Sequence, residues 1–216
     1  MKKPPPVALI GAGKFATSPI TRMRNLDTQL GPVKAPSLRV ASRMSNNLRA
    51  GHPVSDYQEF DSCKLILISV PDDLLASVIA ELTASLSSWQ QKTVVACSDT
   101  VCCEHLSELA SLGAATGTLA MVPGYEDRWF LVEGGKTVER LLRPMLSQLR
   151  ATVIAAFQKH RYLQAVAGVN QQFMPCLKQA SEALREVGIP GPEVNEIVER
   201  QVTRTMRSYY RSGKTV

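Results

Sequence analysis

The sequence predicts an α/β protein: a doubly wound, mostly parallel sheet followed by a small all-helical C-terminal domain. Three observations lead there. Val7–Ile10, a short and fully apolar run, reads as a strand covered on both faces, and the largely apolar Lys64–Val70 (KLILISV) and Thr93–Ala96 read as further strands. Segments of helical period alternate with them, the pattern of strand–helix–strand crossovers. Beyond about Phe157 the strand pattern stops and two helical segments complete the chain.

Taken in order, Val7–Ile10 ends in Gly11-Ala12-Gly13, and a helix is expected from about Phe15 to Leu26. Gly31-Pro32 and Pro36 break the chain, and Leu38–Ala41 reads as the second strand. A weak third strand is expected within Val54–Phe60. KLILISV stops at Pro71-Asp72-Asp73, where proline cannot continue a central ladder and either aspartate can cap the helix Leu74–Leu86. After the strand Thr93–Ala96 come a helix over Glu104–Leu112, strands Thr118–Val122 and Trp129–Val132, a helix Val138–Leu149 and a last strand Thr152–Ala156. The helix Tyr162–Val187 contains Pro175 and stops at Gly188 and Pro190; a second helix starts at Pro192. The expected domains are 1–157 and 158–216. Two helices cannot enclose a core alone, so the second domain must pack on the sheet domain, on another subunit, or on both.

Composition narrows the function classes. Of 216 residues 44% are hydrophobic and 20% charged, a globular balance. No apolar run reaches the roughly 18 residues of a membrane span, and Val7–Ile10 is too short for a secretory signal, so no membrane partner is expected. The net charge of +6 comes without a dense basic block. Arg200, Arg204, Arg207 and Arg211 recur at helical spacing, but no aromatic interleaving accompanies them, so no nucleic-acid partner is expected. Five cysteines, with no CxxC, suit a reduced, cytoplasmic chain. Cys102-Cys103-Glu104-His105 lacks tetrahedral metal spacing, and no metal is expected.

The chemistry-bearing motif is Gly11-Ala12-Gly13-Lys14-Phe15-Ala16, a GxGxxA placed after a strand and before an expected helix. Gly11 suits a tight turn, Gly13 a close approach of backbone to a pyrophosphate, and Ala16 close helix–sheet packing, as in dinucleotide-binding Rossmann units. Where NAD-binding versions carry an acidic residue at the end of the second strand, the expected strand here ends in Ala41-Ser42-Arg43. Ser42 and Arg43 can hold a 2′-phosphate, with Lys14, Asn46 or Arg49 assisting, which selects NADP(H). A solvated surface arginine is the competing explanation.

Strand–GxGxxA–helix, then RVASR, then LILISVPDD resemble the NADP-dependent pyrroline-5-carboxylate reductase, 6-phosphogluconate and β-hydroxyacid dehydrogenase superfamily. Within it the chain is most similar to an uncharacterised Rossmann-like family with a Val-Pro-Asp turn; FLVEGG and AVAGVNQQF follow in that family's order. The resemblance implies a Rossmann domain, a helical domain that forms a homodimer, and a site between them. It implies that Val70, Pro71 and Asp72 cover the cofactor, that Ser98-Asp99-Thr100 lies near the nicotinamide, and that Asn170 faces a small-molecule substrate. It departs at Val166, where hydroxyacid dehydrogenases carry lysine, and at His160-Arg161-Tyr162, where the uncharacterised family tends to a Tyr-His pair.

The candidate catalytic residues are therefore Asn170 and His160. Histidine is suited to proton donation near neutral pH, although His160 between Lys159 and Arg161 also fits a plain surface position. Asn170 amid Leu163, Val166 and Phe173 either satisfies a buried partner or faces a cavity. The expected activity is an NADP(H)-dependent oxidoreductase moving hydride to or from a small carbonyl or imine. The alternative is a non-catalytic NADP(H)-binding scaffold or regulatory partner subunit.

Overall fold

A computed structural model describes residues 7–13, 18–125, 128–147 and 149–211. The chain divides into two compact units, Met1–Arg161 and Tyr162–Val216. In the first unit the described residues form β1 (Val7–Gly11), β2 (Leu30–Lys34), α1 (Leu38–Leu48), β3 (His52–Pro53), β4 (Leu65–Ser69), α2 (Asp72–Ser85), β5 (Thr93–Cys97), α3 (Ser107–Ser111), β6 (Ala115–Met121), β7 (Trp129–Gly134), α4 (Lys136–Leu142) and β8 (Arg150–Ile154). The strands make one sheet of order β3-β2-β1-β4-β5-β6-β7-β8. All neighbours run parallel except β6 and β7, which are antiparallel. This is the doubly wound sheet expected from the apolar runs.

The strands divide their side chains between two cores. Val7, Leu9, Leu65, Leu67 and Val95 join Met44, Val138 and Leu142 on one face. Ala8, Ile10, Ile66, Ile68 and Val94 join Leu75, Ile79, Leu82 and Leu109 on the other. Period-two alternation with apolar residues on both sides is why these strands read as unbroken hydrophobic runs.

The segment between β1 and β4 departs from expectation. The second strand is Leu30–Lys34, and Leu38–Ala41 opens a helix instead. Pro32 enters the strand at an irregularity in the β1–β2 register between Val7 and Leu9, where a missing N–H is tolerated. Ser37 caps α1 through Oγ, which accepts from the Val40 amide at 3.3 Å. Ala41, Met44 and Ser45 then form its buried face. The helix expected over Phe15–Leu26 is also absent from its described part: residues 18–26 hold a single 3-10 turn, Pro19–Arg22, capped by Ser18. Pro19 opens that turn at its first position, where no amide bond is needed; as the fifth residue of a helix from Phe15 it would lose a hydrogen bond and crowd the preceding turn. Within the range expected for a third strand, Gln58–Ser62 is a 3-10 turn; the strand is the two-residue β3 before it. The helix expected over Val138–Leu149 ends at Leu142 because Pro144 follows.

The second unit contains α6 (Gly191–Arg211) and most of α5 (Lys159–Glu186), which begins in the first unit and contains Pro175. No described helix is long and apolar enough to cross a membrane.

Candidate functional site

The strand order reverses between β1 and β4, so the loops leaving their carboxyl ends diverge and open a crevice. Gly11 pairs with Ser69, and Ile68 with Ala96, which aligns the ends of β1, β4 and β5. A cleft of about 450 Å³ lies there, lined by Ala12 and Gly13, by Val70 and Pro71, and by Ser98 and Asp99. A second cleft of about 370 Å³ shares Ala12 and Val70 and extends past Lys34, Ala35 and Tyr57. Both fall in the size range of small-molecule sites.

The glycine loop fits close approach by a ligand. Gly13 has φ +71°, and a Cβ there would lie 2.9 Å from Pro71 Cγ. The left-handed backbone and the proline wall both require glycine. Gly11 has another reason: a Cβ there would run into the end of the Met44 side chain, so its bareness makes room for that methionine rather than for a turn. Lys14, Phe15 and Ala16 lie outside the described residues. At the end of β4, Ser69 Oγ hydrogen-bonds Ser18 Oγ at 2.6 Å, and both residues line the first cleft. This hydroxyl pair has no sequence signature, because the two serines are far apart in the chain.

Pro71 occupies the position before α2, so Asp72 does not cap it. The Asp72 carboxylate accepts instead from Ser98 Oγ at 2.9 Å and from Thr100 Oγ1, tying the turn after β4 to the loop after β5. Asp99 Oδ1 accepts from the Met121 amide at 3.1 Å. Cys97 lines the same cleft, and burial pushes its thiol up to about 12, so it stays protonated.

Ser42 and Arg43 lie within α1, not at the end of the second strand, which removes the positional argument made for them. The residue that ends β2 is Lys34. Its ammonium stands 5.4 Å from the centre of the Tyr57 ring and donates to the Ala35 carbonyl at 3.2 Å. Tyr57 in turn donates to Glu81 at 3.0 Å; burial first, then this carboxylate, raise its hydroxyl well above the ordinary range. Arg39 and Arg43 are exposed on α1, one helical turn apart.

Two buried charges stand behind the first cleft. Glu133 of β7 and Lys159 of α5 are both fully buried. Glu133 accepts from the amides of Cys103 at 2.8 Å and Lys159 at 2.9 Å, and from Thr118 Oγ1 at 3.2 Å. Lys159 Nζ donates to the carbonyls of Ser98 at 2.7 Å and Val101 at 2.6 Å. Burial lowers the Lys159 ammonium from its ordinary value. Neither residue was anticipated. Glu133 had a signal, a carboxylate inside the apolar run FLVEGG; Lys159, in a polar stretch, had none.

Of the candidate catalytic residues, His160 is half-exposed in the first unit, with Nδ1 3.3 Å from Glu104 Oε1. Asn170 is exposed on α5 in the second unit. His105 Nδ1 accepts from the Cys102 amide at 3.1 Å, a local turn contact. Among the described residues no group of three or more His, Cys, Asp or Glu side chains is placed to hold a metal ion.

No protein-family model matches the chain, and no curated protein is similar to it in sequence. Solved structures are similar in fold. A Bacteroides fragilis protein provisionally named an NADP oxidoreductase superposes with a TM-score of 0.73 at 15% identity, over 94% of this chain and 80% of that one. An imine reductase variant from Myxococcus stipitatus, in complex with NAD+, gives 0.72 at 17%, over 98% and 75%. A reductive aminase from Aspergillus terreus, in complex with NADPH and ethyl-5-oxohexanoate, gives 0.65 at 17%, over 95% and 74%. The chain shares their fold: a Rossmann-type sheet followed by helices.

Proposed function

We propose that the chain is an NADP(H)-dependent oxidoreductase that transfers hydride to or from a small imine or carbonyl compound. The observation that carries this reading is the pair of clefts flanking Ala12 and Gly13 where the strand order reverses. A dinucleotide lies across such a crevice, with its pyrophosphate over the glycine loop. Lys34 at the adenosine-side cleft suits a 2′-phosphate, with Arg39, Ser42 and Arg43 as further cationic or polar neighbours in sequence. The fold neighbours in complex with NAD+ and with NADPH support the cofactor class.

Bound in the cleft, the dinucleotide would supply the hydride at its nicotinamide ring. The chain's own residues position and enclose it. Val70 and Pro71 form one wall, and Ser98 and Asp99 the other. Asp72 holds the two walls together through Ser98 and Thr100. His160, in the same unit as the clefts, is the proposed proton donor. Catalysis on this reading is mainly orientation of donor and acceptor. The buried free thiols Cys63, Cys97, Cys102 and Cys103 are in keeping with a reduced, cytoplasmic setting.

The test is a titration with NADPH and NADH, followed by NADPH oxidation against panels of cyclic imines and keto acids. NADPH is expected to bind at least about tenfold more tightly, as charge-assisted contacts to one phosphate warrant, and to be oxidised with one substrate class. Equal affinities would defeat the 2′-phosphate assignment. Tight binding with no turnover would favour a non-catalytic NADP(H)-binding scaffold.

A further inference from the structure

A buried lysine is costly unless its ammonium is fully engaged, and its uses of that charge indicate its role. Lys159 engages two main-chain carbonyls, those of Ser98 and Val101, at 2.7 and 2.6 Å. Both belong to the loop after β5, whose front, Ser98 and Asp99, lines the first cleft beside Cys97 at the strand's end. Glu133 holds the same loop from behind through the Cys103 amide, and fixes the Lys159 main chain through its other carboxylate oxygen. Asp72 holds it from the solvent side. The loop is thus anchored at Ser98, Thr100, Val101 and Cys103, and the central anchor is a charged group with no surface exposure. Lys159 is not among the residues lining the cleft, and its ammonium touches the loop instead.

Resting on the cofactor reading above, we propose that Lys159 is the positioning residue for the nicotinamide half of the site: its buried ammonium clamps the Ser98–Val101 loop that forms that wall. The adenosine half, built from Lys34, Ala35 and Tyr57 on the far side of Ala12, does not depend on it. A residue needed only for folding would not separate the two halves, whereas a positioning residue of this loop would.

Two probes make the separation measurable by calorimetry: NADPH, which spans both halves, and 2′,5′-ADP, which fills only the adenosine half. Lys159→Met is expected to weaken NADPH about tenfold, the scale of losing charge-assisted hydrogen bonds, with 2′,5′-ADP affinity unchanged. Lys159→Gln keeps a neutral donor within the same cage and is expected to fall between wild type and K159M. If K159M does not fold, the wild-type and K159Q comparison carries the same two outcomes. Unchanged NADPH affinity in the variants, or equal losses for both probes, overturns the inference. A wild-type chain that binds neither probe overturns the cofactor reading and this inference with it.

Discussion

Gly11 and Gly13 share one loop but answer to different neighbours, and substitution separates them. An alanine at 13 must adopt φ +71° and place its Cβ against the rigid Pro71 ring. Left-handed strain plus that clash costs about 2 kcal/mol, and relief by moving Pro71 would deform the cleft wall. An alanine at 11 meets the end of a methionine side chain, which has three rotatable bonds with which to move aside. Gly13→Ala is therefore expected to lower both stability and NADPH affinity, the latter about tenfold or more. Gly11→Ala is expected to cost under about 1 kcal/mol and little affinity. Urea unfolding and NADPH titration of both variants check this; a larger loss for G11A would refute it. The glycine loop was legible in the sequence because glycine has few reasons to recur at that spacing after a strand. The Ser18–Ser69 pair and Lys159 were not, since nothing local marks a side chain whose partner is fixed only by the fold.

At the scale of elements, the strands were legible and the segment between the first and fourth was not. LILIS and TVVAC are buried on both faces, so their composition alone identifies them. LGPVK is a strand despite a glycine and a proline, because Pro32 falls where the ladder to β1 is already irregular. LRVASRMSNNL is a helix because Ser37 caps it and Ala41, Met44 and Ser45 share a face; its apolar start imitated a strand. That exchange puts Lys34 rather than Arg43 at the end of the second strand, and on the cofactor reading proposed above Lys34 is the candidate for the 2′-phosphate. Lys34→Glu places a carboxylate where the 2′-phosphate is expected and should weaken NADPH about a hundredfold while sparing NADH. Arg43→Glu, one or two helical turns into α1, should change NADPH affinity less than about threefold at moderate salt. The two titrations run side by side decide it; a dominant effect at Arg43 would restore the original assignment.

For the whole molecule, the second unit raises the matter of what its helices bury. Val169, Met174 and Val187 are exposed by 64, 62 and 75%, and among the described residues of this unit Val194 alone is buried. Phe173, Leu177 and Leu184 of α5 and Val198, Val202 and Met206 of α6 line an apolar groove of about 760 Å³. Two helices have too little interior to hide such a face, and a patch of this kind on a folded chain marks an association surface. We propose a second copy of this chain as its occupant, giving a homodimer through the C-terminal helices. A closed two-fold dimer is the commonest way for one apolar face to cover itself. Val202→Asp puts a charge in the middle of the groove, where pairing would desolvate it, and is expected to raise the dimer dissociation constant by about a hundredfold or more. Sedimentation equilibrium over a range of concentrations measures it. The glycine-loop clefts belong to the first unit, so 2′,5′-ADP binding should survive in V202D even where the dimer is lost. A wild-type chain that sediments as a monomer at high concentration would rule out the dimer, and a V202D chain that sediments as wild type would exclude this groove as its interface.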